Sequence, residues 1–279
     1  MPFDILHLSD LHFGNPNGHL KRSDVATALE TLLKSCAETT YLVLSGDITF
    51  RGQQVGYQEA MGVLQTVLKQ NMFPSKRVIV CPGNHDLFAE TAGRPFFRTF
   101  DEWSSGLRGD KECTFAQTPV RILKAEAADF VLINTAYHGN WEFGQVDIGE
   151  LNRLLSELPA LSAASHRPRI AVLHHHLVPV LINDTSTIRN AYEVVALLQQ
   201  HGCTLVMHGH QHAILALQFG EKCMQISGVG SFGFNSPGVI NSGAIYTIEG
   251  TEIQLTRRFG ISVDVKGCIV NLQPTKGTW

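Results

Sequence analysis

The sequence lacks the features that mark membrane, secreted and nucleic-acid-binding proteins. No apolar run approaches the length needed to span a bilayer. A strand is predicted almost at the first residue, so we expect no signal peptide. The net charge of −3, with histidine neutral, does not support a large basic surface for nucleic acid, although it leaves room for a local basic patch. The six cysteines include no Cys-x-x-Cys pair, which favours reduced, buried thiols in a cytoplasmic protein.

The sequence also has no Ser/Gly-rich linker, internal repeat or charge run, and we therefore expect a single domain over residues 1–279. Hydrophobic residues make up 44% and charged residues 17%, which is typical of a globular protein and argues against disorder. Residues 87–128 have a looser pattern and are interpreted as a partly helical insertion that forms a lid over the site. The aromatic cluster in this insertion is interpreted as a small core of its own. Residues 250–279 are interpreted as a carboxy-terminal β extension.

What the sequence does have is a series of apolar runs that end in Asp, Asn or His. These runs show little alternation, which predicts strands that are covered on both faces. If such strands lie side by side and point the same way, their polar ends meet at one edge of the sheet. The five runs are Phe3–Ser9, Tyr41–Ser45, Arg77–Cys81, Arg169–Leu173 and Cys203–Met207. One shared site is therefore expected at that edge.

The residues at these ends have the chemistry of metal ligands. They supply carboxylates, one amide oxygen and imidazoles, from Asp10, Asp47, Asn84, His12, His174, His210 and His212. These are too many nitrogen and oxygen ligands for one ion, so two metal ions with Asp47 between them are predicted. Mixed N and O ligation favours Mn, Fe or Zn over a structural all-thiolate zinc. Asp10 and His12 are two residues apart, so in an extended segment both side chains project to the same side.

The remaining elements follow from periodicity. Apolar residues at helical spacing predict helices over Ser23–Glu38 and Gln54–Lys69. From Ala213 onward the runs become short and are separated by glycine-containing turns, which predicts an antiparallel meander that forms a second sheet. Its strands are Ile214–Phe219, Lys222–Ile226, Gly243–Ile248, Glu252–Arg258 and Cys268–Leu272.

The order of the polar motifs resembles that of the calcineurin-like metallophosphoesterase superfamily. The resemblance spans Met1 to about Gly250 and rests on Asp10-x-His12, Gly46-Asp47, Gly83-Asn84-His85-Asp86, a histidine after a later strand, and Gly209-His210-x-His212. Within the superfamily, Leu6–Gly14, Gly46–Gly52 and the triplet His174-His175-His176 most resemble bacterial class III cyclic-nucleotide phosphodiesterases. The resemblance implies an α/β fold, a four-layer αββα sandwich of two mixed β-sheets with flanking helices. The metal site would lie at the carboxyl edge of the strands.

The resemblance also implies a role for each residue of the site. The two ligand sets, which share Asp47, are Asp10, His12, Asp47 and His212, and Asp47, Asn84, His174 and His210. His85 is not expected to bind metal, because the corresponding histidine of the family stabilises the transition state or protonates the leaving oxygen. Asp86 is expected to orient His85 and to raise its pKa.

Several histidines and one arginine have alternative interpretations. Adjacent side chains of an extended segment point in opposite directions, so the three histidines of the triplet cannot all be ligands. The resemblance favours His174, with His175 as the alternative. His7 and His208 are interpreted as structural residues. Besides Asn84 and His85, substrate contacts are predicted for Arg51 and His138. A surface salt bridge for Arg51 and an exposed loop position for His138 are the alternatives.

By resemblance, the favoured function is that of a phosphodiesterase acting on a nucleotide or another small phosphodiester, with a hydroxide that bridges two metal ions as the nucleophile. A phosphomonoesterase or pyrophosphatase is the first alternative. A nuclease is the second, and the absence of basic runs argues mildly against it. A catalytically inactive scaffold ranks low because every motif ligand is retained. The chain is also compatible with being the catalytic module of a larger protein.

Overall fold

The structure of the chain, a computed structural model, describes residues 2–88, 96–159, 167–180, 182–220, 224–235, 240–264 and 267–274. Its strands are β1 (Phe3–Leu8), β2 (Tyr41–Ser45), β3 (Val78–Cys81), β4 (Val120–Lys124), β5 (Asp129–Ile133), β6 (Arg169–Leu173), β7 (Cys203–His208), β8 (Leu215–Phe219), β9 (Met224–Gly228), β10 (Asn241–Glu249), β11 (Glu252–Asp264) and β12 (Gly267–Pro274). Its α-helices are α1 (Arg22–Ser35), α2 (Gln54–Gln70), α3 (Arg98–Arg108), α4 (Ile148–Ser156) and α5 (Ala191–Gln200). Outside the described residues lie 89–95 of the predicted lid, 222–223 of one predicted strand, and 265–266 and 275–279 of the predicted extension.

Alternating side chains of the central strands face two different cores. On β6, Ile170 and Val172 pack with residues of the other sheet, whereas Ala171 and Leu173 pack with residues of α4 and α5. β5 and β7 repeat this pattern. The apolar stripes of α1 and α2 join the first core. The layers are therefore helices, sheet, sheet and helices, which confirms the predicted αββα sandwich.

The parallel strands form two groups in two sheets. One sheet has the order β12-β11-β10-β1-β2-β3, and the other has the order β4-β5-β6-β7-β9-β8. β1, β2 and β3 are parallel to each other, as are β5, β6, β7 and β9. The expectation that all five motif-bearing strands lie side by side is therefore wrong. Their carboxyl ends nevertheless meet across the two sheets, where His174 Nδ1 lies 2.8 Å from the carbonyl oxygen of Ser45.

The carboxy-terminal strands do not form a sheet of their own. β10 pairs antiparallel with β1, and β11 and β12 extend the same sheet. β8 and β9 join the other sheet, where β9 runs parallel to β7. The predicted separate meander is wrong because alternation along a run indicates a strand but does not identify its partner. The loop before β10 is consequently drawn to the end of β1, where Phe232 N donates to Ser9 O over 2.8 Å.

The described part of the predicted insertion packs on the body of the protein. Phe97, Phe100 and Trp103 are buried in the main core, and the Trp103 ring lies 5.7 Å from the ring of Tyr57. The interpretation of a separate small core is therefore wrong. Arg108 donates to the carbonyl of Val78, at the amino end of β3 and away from the predicted site. The lid and the single domain stay predictions. Among the described helices, none is long and apolar enough to cross a bilayer.

Candidate metal centre

The chain leaves β1 and β2 through two loops that are hydrogen-bonded to each other. Asp10 N donates to Gly46 O over 3.0 Å, and His12 N donates to Asp47 O over 2.9 Å. Asp10, His12 and Asp47 all have left-handed backbones, with φ of 55°, 51° and 53°. The extended conformation assumed for Asp10 and His12 is therefore wrong. Their side chains converge because the paired loops turn sharply.

The loop after β7 has the same unusual backbone. His210 and His212 have φ of 73° and 49°. Left-handed backbone costs a non-glycine residue free energy and persists only where surrounding contacts impose it. Five of the seven predicted ligands adopt it, namely Asp10, His12, Asp47, His210 and His212. Strain concentrated at these positions is typical of a functional site rather than of a connecting loop.

The first group of ligand atoms consists of Asp10, His12 and His212. One donor atom from each residue lies within 4.8 Å of the others. His212 Nε2 is 3.2 Å and His12 Nε2 is 3.6 Å from Asp10 Oδ1. The carboxylate is buried, and burial opposes its ionisation. The surrounding imidazoles, that of His212 above all, nevertheless hold the pKa of Asp10 well below its usual value.

The second group consists of Asp10, Asp47 and His174, again within 4.8 Å. His174 Nε2 lies 3.3 Å from Asp47 Oδ2 and 4.0 Å from Asp10 Oδ1. His210 Nδ1 joins this group at 3.3 Å from His174 Nε2 and 3.1 Å from Asn84 Oδ1. Asp47 Oδ2 is also 3.7 Å from His12 Nε2 of the first group. The structure thus brings all seven predicted ligands together, with both carboxylates between the two groups.

The three consecutive histidines of the triplet have different partners. His174 Nδ1 donates to Ser45 O, which leaves Nε2 free to face the carboxylates. His175 Nδ1 lies 2.7 Å from the hydroxyl of Thr135. His176 Nε2 lies 2.5 Å from Asp184 Oδ2. This geometry favours His174 as the ligand, because only its second nitrogen points between Asp10 and Asp47.

Glycines allow these groups to approach each other. At Gly46, which has φ of 102°, an added Cβ would lie 2.4 Å from His174 Nδ1. At Gly209, it would lie 1.8 Å from Ser9 Oγ and 2.4 Å from Asp10 Oδ2. The absence of a side chain at both glycines therefore leaves room for the ligand side chains of a neighbouring segment.

The donor set fits a pair of metal ions. Both ring nitrogens of His12 are buried without a hydrogen-bond partner, although buried polar atoms normally have one. Carboxylate oxygens, an amide oxygen and imidazole nitrogens face each other at 3.1–4.0 Å. Carboxylate and amide oxygens suit Mn, and imidazoles suit Fe and Zn, so the mixture is compatible with any of these three metals. These residues could hold two ions.

His85 lies beside the ligands with its backbone and its ring in different roles. Its N–H donates to Asp47 Oδ1 over 2.8 Å, which orients that carboxylate. Its ring stacks on Phe50 at 5.5 Å and 21° and lies 5.0 Å from the His12 ring. Burial lowers the pKa of His85, although the nearby Asp47 acts in the opposite direction. Asn84 presents its oxygen to His210, while its Nδ2 donates to Trp141 O over 2.9 Å.

Asp86 does not orient His85, so that part of the prediction is wrong. Its carboxylate accepts from the backbone N–H groups of Ile48, Thr49 and Gly83 at 3.0–3.1 Å. The Tyr57 hydroxyl also donates to it, over 3.1 Å. Burial and the neighbouring Asp47 raise the pKa of Asp86 to about 6. Asp86 therefore joins the loops that carry Asp47 and Asn84.

Loss of the hydrogen bonds that Asp86 accepts is expected to destabilise the protein. Asp86→Ala leaves three buried backbone N–H groups without an acceptor, at about 1–3 kcal/mol each, so we expect a loss of at least about 3 kcal/mol. Metal affinity should fall as well, because the ligand loops lose their connection. Urea unfolding and metal titration measure the two effects. Asp101→Ala is the control, since Asp101 accepts from Phe115 N and Ala116 N on the insertion. The Asp101→Ala variant should lose stability but bind metal normally. Unchanged metal affinity in Asp86→Ala would contradict the assignment of Asp86 as the residue that joins the ligand loops.

A small cavity of about 220 Å³ opens onto the ligands. Its lining consists of His12, Asn15, Asp47, Phe50, His85, His210, His212 and Phe234. Phe50, Phe234 and the nearby Trp141 were not predicted from the sequence as residues of the site. Phe50 lies three residues after Asp47, within the Gly46–Gly52 stretch, and this nearness in sequence is a usable local signal. Phe234 reaches the site because its loop is hydrogen-bonded to the end of β1, where Gly233 N donates to Asp10 O over 3.2 Å.

The two other predicted substrate residues are not part of this lining. Arg51 is exposed, and its guanidinium lies 5.1 Å from the centre of the Phe50 ring. His138 is exposed and packs edge-on against Tyr137. Substrate contact by either residue stays a prediction. A larger cavity of about 500 Å³ lies near the amino ends of the strands, and its lining includes Arg77 and Glu126, which pair with each other at 3.7 Å. The ligand groups are absent from its lining.

Comparisons with known proteins give one family match and several similar solved structures. Residues 3–213 match the calcineurin-like phosphoesterase family. A dimetal phosphatase from Danio rerio has a similar fold, with 14% identity, a TM-score of 0.57 and 98% of each chain covered. Phosphopantetheinyl hydrolase from Mycobacterium tuberculosis is 15% identical, with a TM-score of 0.48 over 81% of this chain and 89% of that one. Vacuolar protein sorting 29 from Cryptosporidium parvum is 11% identical, with a TM-score of 0.45 and 98% of each chain covered.

None of the curated protein sequences matches this chain. The family match nevertheless covers most of the chain, including every predicted metal ligand. It agrees with the αββα layers and with the two ligand groups at the strand ends. The chain therefore belongs to the calcineurin-like phosphoesterase family.

Proposed function

We propose that this chain is a metal-dependent phosphodiesterase that hydrolyses a nucleotide or another small phosphodiester at a pair of metal ions. The proposal is carried by one observation. Two groups of buried and half-buried ligand atoms have the carboxylates of Asp10 and Asp47 between them and lie beneath a small cavity whose wall includes His85. Such an arrangement can bind a phosphate group and place a proton-bearing side chain beside it.

The ligands would be divided between two ions. Asp10, His12 and His212 would hold one ion, and His174, His210 and Asn84 would hold the other. Asp47 would be shared, since its Oδ2 lies 3.3 Å from His174 Nε2 and 3.7 Å from His12 Nε2. When bound, such ions neutralise phosphate charge and lower the pKa of a coordinated water.

His85 would act directly on the substrate. It lines the cavity beside His12, and its backbone N–H already holds Asp47. Because burial lowers its pKa, the imidazole is neutral near pH 7 and can donate one hydrogen bond. We assign that hydrogen bond to a phosphate oxygen or to the leaving oxygen. The stacked Phe50 ring would keep the imidazole aimed at the cavity.

The lining supports a diester more than a monoester. A monoester carries close to two negative charges at neutral pH, whereas a diester carries one. Apart from the metal ions, the described residues that line the cavity supply no lysine or arginine to balance the extra charge. They do include Phe50 and Phe234, which offer apolar surface to the second ester group.

Hydrolysis of two matched substrates tests the proposal. Chelator-stripped protein is assayed with an aryl phosphodiester and with the corresponding aryl phosphomonoester, before and after addition of Mn, Fe or Zn. We expect activity only after metal addition and a higher kcat/KM for the diester. Cyclic and linear nucleotides would then be compared at the same metal concentration.

The other outcomes distinguish the alternatives. A higher kcat/KM for the monoester would indicate a phosphomonoesterase. Activity confined to nucleic acid would indicate a nuclease. Binding of metal without hydrolysis of any of these substrates would favour an inactive scaffold. Failure to bind metal would refute the proposal itself.

A further inference from the structure

A chain of hydrogen bonds joins the segment after β6 to the loop that carries His210 and His212. Its members are His176, Asp184, Ser186 and Gln211, which we name the clasp. His176 Nε2 lies 2.5 Å from Asp184 Oδ2. Asp184 Oδ1 accepts from both Ser186 N, over 2.9 Å, and Ser186 Oγ, over 2.7 Å. Gln211 Nε2 donates to Ser186 Oγ over 2.6 Å.

The donors and acceptors of the clasp form one directed series. The Ser186 hydroxyl donates a hydrogen bond to Asp184, and a lone pair on the same oxygen accepts a hydrogen bond from the Gln211 amide. The Asp184 carboxylate accepts at both of its oxygens. Hydrogen bonds arranged in such a series polarise and strengthen one another. The core of the clasp is shielded from water, since the side chains of His176 and Asp184 are 0% and 4% exposed.

The clasp closes on a predicted metal ligand. The ring of His176 stacks on the ring of His210 at a centroid distance of 5.5 Å and an angle of 23°. Gln211 follows His210 directly in the chain and precedes His212. Hydrogen bonds therefore lead from His176 through Asp184 and Ser186 to Gln211. The neighbouring His210 ring then stacks on His176, which closes the circuit.

This loop needs restraint from outside. Both of its ligands have left-handed backbone, which is costly for side chains other than glycine. Backbone contacts supply part of the restraint, since His210 N donates to Asp10 Oδ2 and Gly209 N donates to His174 O. The Gln211 amide adds a restraint between the two strained residues. The Ser186 segment is itself held where Ile188 N donates to His176 O over 3.0 Å.

We infer that Asp184, Ser186 and Gln211 are positioning residues for the ion that His210 would hold. The inference rests on the proposed dinuclear function, but it concerns metal affinity rather than the reaction. The clasp sets the position of His210 through the backbone of Gln211 on one side and through the His176 ring on the other. Its main effect falls on one of the two ions. His210 is held through both the Gln211 backbone and the His176 ring, whereas, among the contacts of the described residues, the other ion's set meets the clasp through the backbone of His212.

Metal titration provides the test. Mn²⁺ is titrated into chelator-stripped wild type, Gln211→Met and Ser186→Ala by calorimetry, and electron paramagnetic resonance then reports spin-coupled Mn pairs. In Gln211→Met and Ser186→Ala, we expect the affinity of one binding step to match the wild type and that of the second to fall by about 10–100-fold. A loss of this size is typical when hydrogen-bond partners of metal ligands are removed. The signal of coupled pairs should fall at Mn²⁺ concentrations that saturate the wild type. Ser186→Thr, which keeps the hydroxyl, should restore the second step.

Two controls separate positioning from general stability. Gln199→Met makes the same substitution on α5, where Gln199 donates to Phe219 O at an exposed site, and should leave both binding steps unchanged. The double variant Gln211→Met with Ser186→Ala should weaken the second step no more than Ser186→Ala alone, because that substitution already removes the hydrogen bond from Gln211 as well as the one to Asp184. Melting temperatures identify any variant that fails to fold. Gln211→Met carries the test if Ser186→Ala does not fold.

Each outcome decides the inference. Unchanged affinity for both ions in folded Gln211→Met would overturn it while leaving the proposed function in place. Equal weakening of both ions would overturn it too, since that result indicates a general loss of stability. If the wild type binds no Mn²⁺, Fe or Zn at all, the proposed function fails and the inference fails with it.

Discussion

Asp47→Asn is expected to lower kcat/KM by at least about 10³-fold and to remove one of two bound metal ions. Asp47 is the carboxylate that the proposal shares between the two ions. One oxygen accepts the His85 N–H at 2.8 Å, and the other faces the imidazoles of His174 and His12 at 3.3 and 3.7 Å. Asparagine keeps the shape but loses the charge. Metal ions supply several kcal/mol of transition-state stabilisation, and each factor of ten corresponds to about 1.4 kcal/mol.

Metal content after dialysis and steady-state kinetics measure this effect. Asp4→Asn is a suitable control because Asp4 is a buried carboxylate at the opposite end of β1, where it accepts from Ala37 N and Thr247 Oγ1. That variant should retain both ions and near wild-type turnover. If Asp47→Asn bound two ions with wild-type affinity, Asp47 would not be the shared ligand.

His85→Ala is expected to keep both metal ions and to lose about 10²–10⁴ in kcat, the range of a positioned proton donor or acceptor. The substitution removes the ring that lines the cavity. It preserves the backbone N–H that holds Asp47, so the ligand geometry should survive. Calorimetric metal titration and kcat with the aryl phosphodiester separate the two properties.

His201→Ala controls for the loss of a histidine far from the site. His201 follows α5 at the amino end of β7, on the opposite edge of its sheet. Its removal should change neither metal affinity nor kcat. Loss of a bound ion in His85→Ala would refute the assigned role, because it would show that the His85 ring supports metal binding.

The chemistry of the site could be predicted from the sequence because ligand chemistry is a local property. Asp10, Asp47, Asn84 and His210 each follow an apolar run, and residue type alone indicates nitrogen and oxygen ligands for two ions. Helical periodicity was equally informative. The helix predicted over Gln54–Lys69 is α2, Gln54–Gln70, since a buried stripe along one face depends only on local spacing.

The partners of each segment were decided by the tertiary structure. The motif-bearing strands separate into two sheets, and β10 joins β1 across more than 200 residues of sequence, since alternation does not identify a strand's neighbour. Hydrogen bonds from Phe232 and Gly233 to the end of β1 bring Phe234 to the cavity. Asp86 turns to the backbone of Ile48 and Thr49 rather than to His85, because unpaired buried N–H groups require an acceptor.

The sequence by itself therefore determined which atoms are available to bind metal and in what order the chain delivers them. Only the tertiary structure decided how they meet. The left-handed backbone at Asp10, Asp47 and His210 runs against local preference and exists because neighbouring loops impose it. The clasp of His176, Asp184, Ser186 and Gln211 likewise joins two segments that are distant in sequence. Contacts of this kind depend on packing between distant residues, which no local pattern encodes.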